Sequence, residues 1–397
     1  MQFLVLRGGS VLSPTGFVPA DVWTAAGTIL GVGPHASGPE AVPPGAPDAI
    51  ELDCTGKLVT PGLIDGHLHI MGGGGGGGYA SRMPELPVDA VLEAGITTCV
   101  AMPGVDPLTR PLEGLLALAR AYRQQGVRAV AMTGGFVWPP RTLTGGIRSD
   151  VYLIPDLVGV KVALGEHMAT APDAAELATL LRELEWVGRM IGGAVLLHAH
   201  LGTVDAPARD LEAALVDSGV DPSIVQVTHA NYTEQTLAAA IRLGGAGCRV
   251  DVNPLLPPGR VAGALSPVET VRRLLDAEVP LERLSLSTDG NASVPREIAD
   301  GSYEHYDRHL DLLGTVRALE RDGILSLEEA FGLVTANPAE ALQRDDLGLV
   351  RPGAAADLLV LDPETLAVQT VMSDGVVRVR DGRAVAPSQF RDPRWQA

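Results

Sequence analysis

Between about residues 60 and 345, short apolar runs alternate with longer stretches in which apolar residues recur every three to four positions. The short runs predict strands at 63–69, 97–102, 129–133, 158–163, 194–200, 224–229, 247–252 and 284–287. The longer stretches predict helices at 88–93, 112–125, 174–190, 208–216, 234–243 and 267–277. Only the segment between the third and fourth strands shows no clear helix. Eight strands alternating with helices predict an α/β fold, a (β/α)8 barrel of TIM type rather than an open doubly wound sheet.

The two ends of the chain read differently. Residues 1–60 hold β patterns at 3–7, 21–24 with 28–31, and 49–52, and 36–47 is a proline-rich loop. After Leu347 the β pattern returns at 357–361, 366–372 and 376–380, with Asp374-Gly375 and Asp381-Gly382 as turns. The predicted organisation is a barrel over 61–345, flanked by 1–60 and 346–397, which join in one small β-sandwich.

Composition adds bounds. The 397 residues are 46% apolar and 20% charged, which suits a large core and not a disordered chain. The formal net charge of −18 argues against a nucleic-acid backbone or an anionic membrane as partner. No apolar run is long enough to span a bilayer, and Arg7 interrupts the N-terminal apolar stretch too early for a signal peptide. Cys54, Cys99 and Cys248 are too few and scattered for a disulfide framework or a cysteine-rich zinc module. A soluble cytoplasmic protein is expected.

Of the 30 basic residues, only Lys57 and Lys161 are lysines. Arginine keeps its proton, whereas a buried lysine can become a neutral, nucleophilic amine. Lys161 lies in an apolar strand and stands out for that reason.

The candidate chemistry collects where a barrel places it, at the C-terminal ends of the strands. In the stretch 59–70, side-chain alternation puts His67 and His69 on one face, about 6–7 Å apart. Lys161 lies near the end of the fourth strand, His198 and His200 end the fifth, His229 ends the sixth, and Asp289 follows the eighth. Each has a bland reading alone: hydrogen-bonded core imidazoles, a lysine snorkelling to solvent, a helix brace, an ordinary Asp-Gly turn. Together they suit Zn²⁺ or a similar divalent ion, and they exceed the needs of one tetrahedral site.

The combination of Gly-Leu-Ile-Asp-Gly-His67-Leu-His69, Gly159-Val-Lys161, His200-Leu-Gly, Thr-His229-Ala-Asn and Ser-Thr-Asp289-Gly-Asn resembles the amidohydrolase superfamily, and within it the isoaspartyl dipeptidases. The resemblance runs from about 58 to 360. It takes in the glycine run, Pro84-Glu, Glu93-Ala-Gly-Ile-Thr, Arg141-Thr-Leu-Thr-Gly and Asn337-Pro-Ala. It implies two divalent metal ions, with zinc the expected identity. His67, His69 and Asp289 would hold the more buried ion, and His200 and His229 the second. Lys161 would bridge both as a CO₂-derived carbamate, which forms from a neutral amine. The His-Leu-Gly context selects His200 over His198, which is read as a supporting or core residue. The implied reaction is hydrolysis of a C–N amide bond of a small molecule. A metal-bridging hydroxide would attack, with Asp289 as general base and then acid. A homo-oligomer is also implied.

Departures bear on the substrate. The isoaspartyl dipeptidases grip a doubly charged dipeptide with a glutamate, a tyrosine and two arginines; the matching positions here are Gly76, Phe136, Met168 and Tyr232. Without the glutamate and the arginine clamps, a less charged, more apolar substrate is expected in a pocket lined by Phe136, Trp138, Met168 and Tyr232. Phe136 cannot donate to a developing oxyanion. Ser293 matches a substrate-contacting position. The run Gly72–Gly78 lacks the Gly-Lys-Ser/Thr of a phosphate loop and reads as a flexible loop over the metal centre. Glu166 and His167 are either substrate contacts or a surface loop pair. Alternative readings are a true β-aspartyl dipeptidase with altered recognition residues, a cyclic amide or lactone hydrolase, and, in another class, a catalytically silent barrel scaffold.

Overall fold

The computed structural model describes residues 3–34, 49–76, 78–193, 195–254, 263–292, 294–297, 303–306 and 310–385. Eight parallel strands pair in sequence order: β1 (Leu63–Leu68), β2 (Ile96–Ala101), β3 (Arg128–Gly135), β4 (Leu157–Leu164), β5 (Leu196–Leu201), β6 (Val225–Thr228), β7 (Arg249–Val252) and β8 (Leu284–Leu286). Gly290, just after β8, bridges Leu68 of β1 in parallel and nearly closes the sheet into a barrel. Every residue of β2, β5, β6, β7 and β8 is buried, as expected of strands covered on both faces.

The helices lay their apolar stripes on this barrel. Ala174–Ile191 starts with a capping box between Asp173 and Glu176 and stops at Gly192 in the left-handed conformation. Between β3 and β4 the structure has a helix, Ile147–Leu153, where the sequence pattern shows none. The polar run Arg148-Ser149-Asp150 interrupts its apolar positions, so no periodicity registers. Its fold depends on the buried Asp150, whose carboxylate accepts the backbone N–H groups of Leu143 and Thr144 at 2.8–3.0 Å.

The stretch 59–70 is two strands. Leu58–Pro61 belongs to a different sheet, and Leu63–Leu68 enters the barrel. The break falls at Gly62, where an added Cβ would lie 2.1 Å from Thr97 Oγ1. That other sheet has nine strands and joins both chain ends. Its order runs from Arg383–Ala384 through Val376–Arg380, Val368–Ser373, Leu358–Leu361, Leu58–Pro61, Phe3–Ser13 and Gly16–Ala25 to Thr28–Gly33, with Ile50–Asp53 beside Phe3–Ser13. Asp374-Gly375 and Asp381-Gly382 all have positive φ, as a tight hairpin turn requires. Among the described residues, no helix is long and apolar enough to cross a membrane.

Candidate active site

Parallel register sets the heights of the polar residues. Lys161 on β4 pairs with His198 on β5, and His200 pairs with Ala163, one inward-facing level higher. Alternation therefore turns Lys161, His198 and His200 to one face, inside the barrel. His67 comes in from β1. His69, His229 and Asp289 stand just beyond β1, β6 and β8.

The structure brings these side chains together. Asp289 Oδ1 lies 3.2 Å from both His67 Nε2 and His69 Nε2. The ligating atoms of these three buried residues all fall within 4.8 Å of one another, a group that could hold a metal ion. Lys161 Nζ is 3.0 Å from His67 Nε2. The rings of His200 and His229 are 4.3 Å apart, and His229 lies 5.4 Å from the His67 ring. His198 sits beneath, its Nε2 3.2 Å from His67 Nδ1. It braces His67 from behind, in keeping with a supporting role.

The donor chemistry fits a divalent ion. Burial, aided by Lys161, holds His67 well below the usual imidazole range, and burial, aided by His200, does the same to His229. His200 is also lowered by burial. Neutral imidazoles present a lone pair, as metal ligation requires. Burial brings the Lys161 amine down to about 8, although Asp289 opposes the shift. Such an amine is partly neutral near physiological pH.

Sequence reasoning missed the residues that aim these groups. Asn253, just past β7, donates from Nδ2 to Ser287 O at 3.1 Å, which leaves its Oδ1 facing His229 Nδ1 at 2.6 Å. His229 must then carry its proton on Nδ1, freeing Nε2 for the site. Asp65 accepts from the His67 N–H at 3.1 Å and from Thr288, tying β1 to the end of β8. Asp251 accepts three hydroxyls, from Thr228, Ser285 and Ser287, at 2.6–2.9 Å. Burial pushes both carboxyls up to about 7. Polar residues inside apolar strands were the available signal, at Asp65 and Asp251. His229 and Asp289 themselves have φ of 66° and 49°, left-handed conformations that non-glycine residues adopt at some cost.

The expected substrate contacts divide. Phe136 stands edge-on to the His200 ring at 5.0 Å, with Lys161 Nζ 5.5 Å from its centroid. Tyr232 stacks on His229 at 4.1 Å and donates its hydroxyl to Asp289 Oδ2 at 3.4 Å. Met168 and Gly76 face each other: Met168 Sδ lies 2.9 Å from where a Cβ on Gly76 would be. Both line a cavity of 720 Å³ together with Tyr79, Arg82, Arg141 and Gly134, and Gly134 packs on the Lys161 carbonyl. Trp138 lines a groove with Ile147 and Leu180, and its backbone N–H donates to Thr170 Oγ1 at 2.6 Å. Ser293 lies outside the described residues. Glu166 Oε1 is 3.3 Å from His200 Nε2, and His167 is exposed beside it.

The glycine run is more restrained than a free flap at its base. Arg110 donates to the carbonyls of Gly72 and Gly73 before the loop and of Met83 after it. Asn291 Nδ2 donates to the carbonyls of His69, at 3.1 Å, and Pro84, at 2.9 Å.

Comparison with known proteins agrees with this geometry. The profile of the amidohydrolase family matches residues 58–379. An adenine deaminase 2 of Rhizobium etli is 28% identical over 399 residues, covering 98% of this chain; the chain spans only 59% of that relative's length. A dihydroorotase of Ligilactobacillus salivarius is 24% identical over 401 residues, covering 90% of this chain and 89% of its own. A crystal structure of a β-aspartyl dipeptidase from Fervidobacterium islandicum, in complex with a β-Asp-Leu dipeptide, superposes with a TM-score of 0.87. It is 25% identical and covers 98% of this chain and 100% of its own.

Proposed function

The chain belongs to the amidohydrolase family, as an enzyme with hydrolase relatives acting on C–N bonds, and from that premise we propose a binuclear metal-dependent hydrolase of a small-molecule amide. The observation that carries this reading is the convergence of His67, His69 and Asp289 within 4.8 Å, with Lys161 directly against His67. In it, His67, His69 and Asp289 would hold one divalent ion and His200 and His229 the other. Lys161, as a carbamate, would serve both. Zinc suits the nitrogen and oxygen donors.

Bound ions would supply a water activated near neutral pH and polarise the scissile carbonyl. The protein's own work is proton handling and positioning. Asp289 takes the proton from the attacking water and delivers it to the leaving nitrogen, first as base and then as acid. Tyr232, bonded to Asp289 Oδ2, fixes the direction of that carboxylate and supplies a phenol beside it, where Phe136 offers none. The stacked pair of Tyr232 and His229 keeps water from that flank.

The substrate is less charged than an isoaspartyl dipeptide. The contact between Gly76 and Met168 supports this, because an apolar thioether fills the space where an acidic anchor would reach. The cavity is large enough for a small ligand, and its volume of 720 Å³ falls within the usual range for ligand sites. A screen over N-acyl amino acids, β-linked dipeptides, cyclic amides and lactones, with metal content measured in parallel, tests the reading. Turnover of an apolar amide together with two ions per chain is expected; β-Asp-Leu as the best substrate would reverse the substrate assignment. The homo-oligomer that the resemblance implies is checked by light scattering on the same preparation.

A further inference from the structure

Glu166 has no task in the reading above, and we propose that its carboxylate is a further ligand of the second ion, beside His200, His229 and Lys161. The proposal rests on the binuclear reading. Glu166 Oε1 lies 3.3 Å from His200 Nε2, and the glutamate side chain is only 19% exposed. Two donors bound to one tetrahedral ion at about 2.0–2.2 Å each stand about 3.3–3.5 Å apart. The pairs formed by Asp289 with His67 and with His69, both at 3.2 Å, show nearly the same spacing. Either the ring proton or an ion can bridge Nε2 and the carboxylate, and taking up the ion releases that proton to solvent.

The backbone is built for this approach. Gly202 N donates to Leu164 O at 2.7 Å and Val204 N to Gly165 O at 3.1 Å, lashing together the loops that follow β4 and β5. A Cβ on Gly202 would lie 2.1 Å from the Gly165 carbonyl oxygen and 2.7 Å from Glu166 Cγ. A side chain at 202 would therefore push the glutamate away from His200. Charge argues the same way. On this side of the centre the other donors besides Lys161 are neutral imidazoles, so a carboxylate adds the negative charge that a divalent ion favours.

The test uses the full chain, stripped with a chelator and titrated in bicarbonate buffer with Zn²⁺ by calorimetry and with Co²⁺ by visible absorption. The wild type should take up two equivalents. In Glu166→Gln the tighter equivalent is expected unchanged, the weaker one bound at least 10-fold more loosely, and the Co²⁺ spectrum altered only during the second equivalent. Glu166→Asp, which keeps the charge, should recover part of the loss. Second-site affinity within twofold of wild type in Glu166→Gln, or an unaltered Co²⁺ spectrum for the second equivalent, would overturn the proposal. A wild type that binds a single ion would sink the binuclear reading itself, and the proposal with it.

Discussion

Replacing Asp289 by asparagine keeps the shape of the side chain but removes the atom that accepts the proton. Activity on whichever amide emerges from the screen is expected to fall by about 10²- to 10⁴-fold, the usual worth of a positioned acid–base group. A variant within tenfold of wild type would remove Asp289 from that role. Asp251 offers a different readout, one of stability against pH. Its folded-state pKa is raised, to about 7, so the folded protein holds a proton that the unfolded chain releases near 4. The stabilisation from that proton is complete below about pH 4 and is lost as pH rises towards 7, an effect on the order of 4 kcal/mol. Asp251→Asn cannot titrate, so the stability gap between wild type and variant in chemical denaturation should shrink as pH rises from 4 to 7. A gap independent of pH would refute the assignment. At this scale the ligand candidates were legible because each is a polar residue within or just after an apolar run. Asn253 was not, since its meaning comes from His229, 24 positions away in sequence and 2.6 Å away in space.

Elements were legible where their apolar pattern is uninterrupted. Amphipathic helices and strongly β-branched runs declare a period; in Ile147–Leu153 the polar run Arg148-Ser149-Asp150 breaks it, and the buried carboxylate of Asp150 ties the segment down instead. The glycine run illustrates the same limit. Its composition permits many conformations, yet the bonds from Arg110 and Asn291 hold both ends of the loop. Arg110→Met keeps the aliphatic stem and removes the donors, leaving carbonyls at the loop base without their partner. Amide hydrogen exchange across 72–83 should then accelerate at least 10-fold, while β4 and β5 keep their protection. Unchanged exchange in the loop would mean that Arg110 does not restrain it. A smaller change makes a related point about β1. Gly62→Ala should cost about 1–3 kcal/mol, because the new methyl meets Thr97 where the chain passes from one sheet to the other. Stability equal to wild type in thermal melts would show that this crossing has slack.

Over the whole molecule, the barrel and the nine-stranded sheet are fastened at one corner. Arg128 on β3 reaches Asp357 at 2.6 Å and Asp374 at 2.8 Å; the Asp357 carboxylate accepts the Asp374 N–H, and its carbonyl accepts the Gly62 N–H. The guanidinium is partly buried, so this pair is worth more than an exposed one. Arg128→Ala leaves the buried carboxylate of Asp357 without this cation and should lower stability by about 1–3 kcal/mol. Denaturant unfolding checks it, and no loss would place the fastening elsewhere.

The order of apolar and polar positions determined the alternation of strands and helices, the β character of both ends, and which polar residues stand at strand ends. Those are local properties, set by periodicity over a few residues. Only the tertiary structure decided that 59–70 divides at Gly62 and which nitrogen of His229 is free for the site. It also decided that Glu166 faces His200. Each of these depends on contacts between residues far apart in sequence, where packing distance and hydrogen-bond direction, not local pattern, select the outcome.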